Sequence, residues 1–334
     1  MQTAPPKVTV ITPLYNSSAF IRATLDSLQA QTYTNWESIL IDDGCTDDTV
    51  QVVQPYLADS RFRLIQQDNR GIAGARNTGI KDARGEWICL LDHDDLWLPT
   101  KLEKQLDYAH EHNLDLLCTD AFIVTESERW VYSRGFADIA AAVQRAPTDP
   151  TVDVFEQGIR LDFLCASSVM LKRSLLEKHG LFDPEAVPSD DYDMWLRCMA
   201  DARTGFVAEP LIEYIVHASN YSRNEIRMIE KTIYVLQRHR KRHKENPLRL
   251  KQFDDSLAIQ FDFLFQRLVA SGSWFDAVKR LLKVAKDGPG LVPILYRVVL
   301  MPPIIRARNS ARHRLGMLRL RTKSVITRSL QKGL

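Results

Sequence analysis

Three carboxylates fall within four positions in 90-LLDHDDLWLP-99: Asp92, Asp94 and Asp95. Acidic side chains this close raise one another's pKa unless a cation or hydrogen-bond donors compensate. A divalent ion is the simplest compensation, and oxygen ligands suit Mg2+ or Mn2+. Mg2+ is usually held by one or two carboxylates and shares its remaining positions with water and substrate phosphates. The cluster therefore suggests metal-assisted handling of a phosphorylated ligand. A solvated turn, with Asp94 capping the helix that follows, is the plainer reading. Two more acidic pairs stand far away in sequence. Asp42-Asp43 precedes Gly44, and Asp190-Asp191 opens 189-SDDYDMWLR-197. The latter reads as a helix start, where the helix dipole favours carboxylates.

These residues need elements to bring them together. VTVIT (8–12) is β-branched, apolar and bounded by Pro13 and Asn16, the pattern of a buried strand. Residues 17–30 place Phe20, Ile21, Leu25 and Leu28 on one helical face. WESILID (36–42), RFRLIQ (61–66), EWICLLD (86–92) and LDLLCTDAFIV (114–124) read as further strands. Helices are expected over about 72–83 and from Pro99 to about His112, proline being tolerated in a first turn. DFLCASSVML (162–171) and 205–217 read as strands, 173–184 as a short helix closed by Gly180, and 189–200 as a helix. Residues 125–160 lack periodicity and read as a variable loop region with some helix. Strands alternating with helices predict an α/β fold, with a mainly parallel sheet covered on both faces. Ligands of such sheets bind beyond the carboxyl ends of the strands. Tyr15, the Asp42-Asp43 pair and the Asp92–Asp95 turn all follow strand ends, so they face one crevice.

The 334 residues are 45% hydrophobic and 26% charged, ordinary for a globular chain. The net charge of +2 conceals an asymmetry. Ten Lys or Arg and no acid follow Asp287, which leaves about −8 on the residues before it. Five scattered cysteines form no C-x-x-C pair and read as reduced thiols of a cytosolic protein without a zinc site. The first residues lack the basic start and long apolar core of a signal peptide. The most apolar run, 290-GLVPILYRVVLMPPII-305, is interrupted by Arg297 and three prolines and is too short to span a bilayer. Residues 224–243, 250–271 and 274–286 read as amphipathic helices.

VTVITPLYN, LIDDGCTDDT, NRGIAGARNTGIKDARGEWICLLDHDD, SVMLKRSLLEKHGLFDPE, SDDYDMWLR and EYIVH occur in that order. In order and spacing they closely resemble the family 2 glycosyltransferases, over about residues 7–220. The resemblance implies a GT-A fold, Rossmann-like, with a mixed, mainly parallel sheet flanked by helices. It implies inverting transfer of a sugar from a nucleoside diphosphate sugar to a hydroxyl of a glycan or lipid-linked acceptor, with Mg2+ or Mn2+. The expected organisation is a catalytic domain over 1–220, a helical extension over 221–287 and a basic tail over 288–334.

Carried onto this sequence, the resemblance implies that Pro13 and Tyr15 line the nucleotide base and that Asp43 accepts a hydrogen bond from it. For Asp42 a capping turn is preferred, and Cys45, where the family has Ser, is expected to do no chemistry. Arg76, within GIAGARNTG, is the candidate for contacting nucleotide or diphosphate, with a structural ion pair as the other reading. The glycines there lack the G-x-G-x-x-G spacing of a dinucleotide fingerprint, which argues against an NAD enzyme. Small residues instead let this helix lie close to the sheet. Asp92, Asp94 and Asp95 match the acidic metal motif, one meeting the ribose and another, Asp94 by preference, the metal. Asp191 resembles the catalytic base, although the preceding Asp190 replaces the usual Glu. The alternative is that the pair merely caps its helix. His217 approaches metal or diphosphate, or is a surface histidine; Ile215 stands where relatives have Arg. A non-catalytic nucleotide-sugar-binding protein is the alternative function. The basic tail suggests an anionic membrane surface, peripheral on the cytoplasmic face, and no nucleic-acid partner is expected.

Overall fold

The computed structural model describes residues 6–272 and 274–285. The expectation for the tail, 288–334, lies outside the described residues. The described chain falls into two compact units. One holds the residues up to Val131 together with Ala142–Arg223; the other holds Tyr132–Ala141 and the residues from Asn224 on.

The first unit carries a mixed sheet. Its strands are β1 (Val8–Leu14), β2 (Trp36–Asp42), β3 (Phe62–Gln66), β4 (Trp87–Leu90), β5 (Leu96–Trp97), β6 (Leu116–Val124), β7 (Arg129–Val131), β8 (Met170–Lys172) and β9 (Thr204–Ile215). They run in the order β3-β2-β1-β4-β8-β6-β9-β5, with β7 paired to β6. β3, β2, β1 and β4 are mutually parallel, as are β6 and β9. β8 is antiparallel to both β4 and β6 and so joins the two parallel blocks. Every residue of β1 and β2 is buried, which is what apolar runs without alternation require of strands covered on both faces.

The helices of this unit are α1 (Ile21–Gln29), α2 (Thr49–Val53), α3 (Gly71–Asp82), α4 (Lys101–Glu111), α6 (Val154–Arg160), α7 (Arg173–His179) and α8 (Asp190–Met199), while α5 (Ala137–Arg145) begins among the residues of the second unit. α3 lies tight on β1: a Cβ on Gly79 would stand 2.5 Å from Ile11 Cγ2. Gly79 of GIAGARNTG thus serves close packing on the sheet. Phe20, expected on the apolar face of α1, precedes the helix instead, at its N-cap.

Pro13 sits inside a central strand, where proline is normally excluded. The ladder explains it. Ile11 O accepts from Leu91 N on the β4 side, and the β1–β4 pairing ends at Ile11↔Leu90. Residues two apart face the same side of a strand. Pro13 therefore turns its missing N–H toward the gap where β4 has already parted from β1. That gap is the crevice expected from the strand ends.

One expected strand is mostly absent. Of 162–171, only the last two residues enter β8, after an irregular stretch and a 3-10 turn at Ala166–Ser168. FLCASSV is apolar because it is buried, not because it pairs.

The second unit contains α9 (Glu225–Arg242), α10 (Pro247–Ser271) and α11 (Trp274–Ala285). Its core takes Ile233 and Leu236 from α9, Phe253, Phe261 and Phe265 from α10, and Leu281 from α11. Asn224 and Asn246 cap α9 and α10 by accepting from the N–H three residues on. Among the described residues no helix is long and apolar enough to cross a membrane.

Candidate active site

The crevice has two ends, and α3 runs between them. At one end Asp43 follows β2. It is buried, and its Oδ1 accepts from Arg70 N at 2.8 Å and Gln67 Nε2 at 2.6 Å, while Oδ2 has no partner among the described residues. Asp42 has no such spare atom: Cys45 N donates to Oδ1 at 2.8 Å and Gln66 Nε2 to Oδ2 at 3.0 Å. Burial works against its charge, but these donors hold the carboxyl below the usual range, as a capping turn should. Tyr15 is 51% exposed beyond β1, whereas Pro13 is buried in the strand. Burial and Asp42 push the Cys45 thiol up to about 11, so it stays protonated and unreactive at neutral pH.

At the other end the acidic turn divides its three carboxylates. Asp95 is 1% exposed; Ser167 Oγ donates to its Oδ2 at 2.5 Å and Ile215 N to its Oδ1 at 3.3 Å. Burial first, then the charges of Asp94 and Asp92, raise its pKa well above the ordinary range. Both oxygens of Asp95 thus accept hydrogen bonds that tie the turn to the 3-10 turn at Ala166–Ser168 and to β9. Ser167 also accepts from Asp92 N at 3.1 Å, so one hydroxyl orients both ends of the turn.

Asp94 faces a different neighbourhood. Its Oδ2 lies 2.9 Å from His217 Nε2 and 3.2 Å from Asn220 Nδ2. His217 Nδ1 is 2.9 Å from Ser219 Oγ, and the imidazole stacks on Phe20 with centroids 4.2 Å apart. The loop 217-HASN-220 therefore turns its polar side chains onto Asp94. His93, by contrast, contributes only its carbonyl, to Thr24 Oγ1.

Among the described residues no three His, Cys, Asp or Glu side chains already gather as a cation cage. Mg2+ is usually held by one or two carboxylates, with water and phosphate oxygens completing its shell. Asp94 and His217 offer one oxygen and one nitrogen donor in contact, and Asp94 Oδ1 has no protein partner among the described residues. These residues fit Mg2+ or Mn2+ in such a shared site.

Arg76 connects the acidic turn to α8. It is 2% exposed, with Nη2 3.0 Å from Asp92 Oδ1 and Nη1 3.0 Å from Asp190 Oδ2. Its Nε is buried without a partner, and the guanidinium lies over the Phe182 ring. Burial opposes its charge, but Asp92 and Asp190 hold the proton more firmly than usual. Arg76 thus stands in an ion-pair network, the second of its two sequence readings. Asp190 is 2% exposed, and although a methylene shorter than Glu it reaches Arg76. Its pKa is raised by burial against the opposing pull of Arg76.

Asp191, next on α8, is only partly buried. Its Oδ1 accepts from Tyr192 N at 2.8 Å. Burial and the Asp190 charge raise its pKa to about 7. A carboxyl poised there can take a proton near neutral pH. A third carboxyl faces it that sequence reasoning passed over. Asp162 precedes the 3-10 turn; its Oδ1 is buried without a hydrogen bond, and burial together with the Asp191 charge raises its pKa well above the ordinary range. A single acid before an apolar run reads as a loop, and no sequence signal marks it. Phe20, Ser167 and Asn220 were likewise invisible, since each acts through a contact made only in the fold.

Parallel strands ending at a polar crevice, with a partly open carboxyl of raised pKa beside it, define an α/β fold that takes its ligand beyond the strand ends. The chain belongs to glycosyl transferase family 2, whose model matches residues 9–180. It is 31% identical over 220 residues to the Bacillus subtilis protein EpsH, covering 64% of this chain and 62% of that one. The chain thus spans less than two thirds of EpsH's length. A second relative is the Escherichia coli protein WfgD, named a UDP-Glc:alpha-D-GlcNAc-diphosphoundecaprenol beta-1,3-glucosyltransferase. It is 30% identical over 235 residues, covering 69% of this chain and 85% of that one. Among solved structures, the mannosyltransferase PcManGT from Pyrobaculum calidifontis in complex with GDP-Man and Mn2+ has a TM-score of 0.59 at 19% identity. That match covers 93% of this chain and 87% of PcManGT, and it establishes the shared GT-A fold.

Proposed function

We propose that this chain transfers a sugar, with inversion, from a nucleoside diphosphate sugar to a hydroxyl of a glycan or lipid-linked acceptor. The observation that carries the reading is Asp191: a partly open carboxyl of pKa about 7, tied through Asp190 and Arg76 to the acidic turn. Pro13 and Tyr15 border the base, and Asp43 Oδ2 accepts from it. Asp92 meets the ribose with the oxygen that Arg76 leaves. Asp94 and His217 hold Mg2+ or Mn2+, which when bound offsets the charge developing on the departing diphosphate. Asp191 takes the proton of the acceptor hydroxyl as that oxygen bonds to the anomeric carbon, while the bond from that carbon to the diphosphate oxygen breaks. One displacement from the opposite face inverts the configuration and needs no covalent nucleophile.

WfgD supports the lipid-linked class of acceptor by its name, and PcManGT the donor class and a divalent ion. Synthesis of a cell-surface polysaccharide or glycolipid, at the cytoplasmic face of the membrane, is the setting that unites them.

A thermal-shift series of nucleoside diphosphate sugars, with Mn2+ or with chelator, tests the reading. Ligand at about 100 times Kd adds about 2.7 kcal/mol, roughly 4 °C for a chain of this size. The gain is expected for a subset of donors and to shrink when Mn2+ is withdrawn. No shift with any donor sinks the reading; a shift without glycosyl transfer leaves a binding protein.

Asp162 supplies a second measurement. The Asp191 charge raises the pKa of Asp162, so Asp191→Asn is expected to let Asp162 ionise at lower pH. An NMR titration of the Asp162 carboxyl that does not move would show that the two carboxyls do not communicate.

A further inference from the structure

The turn joining α9 to α10 concentrates positive charge. From Arg238 to Lys251 there are seven Lys or Arg and one acid, Glu245. Arg240 pairs with Asp254 at 2.6 Å. Lys244 meets Glu245 only at 3.7 Å, with the two side chains 75% and 88% exposed, a contact of negligible strength. Lys241 and Lys251 are exposed and have no ion-pair partner among the described residues.

Helix stability accounts for part of this charge. Lys241 and Arg242 end α9, where the helix dipole favours cations. Arg249 and Lys251 occupy the first turns of α10, where the dipole disfavours them, and that first turn carries no acid. Lys241, Lys244 and Lys251 gather exposed positive charge around one turn, which an external anion would offset. Beside them Leu248 is 62% exposed, the most exposed large apolar side chain among the described residues. It is not loosely placed. Asn246 caps α10 by accepting from Arg249 N, and Pro247 occupies the first turn, so Leu248 is displayed from a fixed backbone.

We propose that the α9–α10 turn is a docking surface for an anionic lipid bilayer. Lys241, Arg242, Lys244, Arg249 and Lys251 lie on the acidic headgroups, and Leu248 enters the boundary between headgroups and acyl chains. A soluble polyanion offers charge but no apolar layer, and would leave Leu248 in water; a lipid surface takes both. The inference stands apart from the transferase reading and from the 288–334 segment.

The test uses the full chain and mixed phosphatidylglycerol–phosphatidylcholine vesicles. Each surface cation contributes about fivefold to the partition coefficient. The triple variant Lys241→Glu, Lys244→Glu, Lys251→Glu is therefore expected to partition at least about a hundredfold less. The matching Gln variant should show a smaller loss, and both should melt as the native chain does. Leu248→Ser is expected to lower partitioning severalfold without changing its salt dependence. Undiminished binding by the triple variant overturns the proposal, because the binding then resides elsewhere in the chain. So does equal binding of the native chain to pure phosphatidylcholine. Native binding to duplex DNA that is lost in the triple variant, with vesicle binding untouched, would assign the surface to nucleic acid instead.

Discussion

An Asp191→Asn chain is expected to transfer sugar about 10²–10⁴ times more slowly than the native one, the range that a positioned general base supplies. Donor affinity should not change, because the residue holds neither the nucleotide nor the ion. The base must be deprotonated to work, so the native rate is low in acid and rises through about pH 7. The variant's residual rate should lack that rise. Steady-state kinetics across pH with calorimetric donor binding separate the two effects; near-native turnover would remove Asp191 from the mechanism. The raised pKa also carries a sign for stability. Folded Asp191 keeps its proton to about pH 7, while in the unfolded chain it is released near the ordinary carboxylate value. Its contribution to stability is therefore fully present below about pH 4 and is lost as the pH rises to about 7. The Asn variant should show a weaker decline of melting temperature over that interval.

Arg76→Met is expected to be the most destabilising exchange in the site. Breaking a buried pair by deleting one partner costs about 3–5 kcal/mol, on the order of 10 °C in melting temperature. The loss is not shared equally. The Asp92 side chain is 25% exposed and can turn to water, but that of Asp190 is 2% exposed and cannot. A second exchange, Asp190→Asn, in the Arg76→Met background should recover more stability than Asp92→Asn does. Denaturant melts of the two double variants decide this. Equal recovery, or a single variant within about 0.5 kcal/mol of native, would mean that the network contributes little.

The sequence carried the architecture where burial and pairing coincide. β1 and β2 are legible because an unbroken apolar run bounded by turn residues admits little else. Over 162–171 the two properties part: FLCASSV is buried against the sheet without joining it, and apolar composition reports only burial. The acidic turn was legible as a cluster but not as three roles. Whether Asp94 or Asp95 faces outward depends on Ser167 and Ile215 lying beneath the turn, and both are more than 70 residues away. Arg76 had two readings that only its partners could separate, one of them 114 residues distant. Asp162 had none, because a carboxyl with one oxygen buried and unbonded becomes unusual only once the fold is seen.

α3 sets a length. Arg70 at its N-cap holds Asp43 through the backbone, and Arg76 six residues on holds Asp92 and Asp190. At 1.5 Å per residue the two grips stand about 9 Å apart along the axis. A helix cannot be lengthened by small steps: one inserted residue adds 1.5 Å but swings everything beyond it by about 100°. Gly79 pressed against Ile11 leaves no room to tilt instead. The spacing between the base end and the reacting end of the crevice is thus indexed in whole residues, and donors of different size must be accommodated by the loops around this helix while its span stays constant.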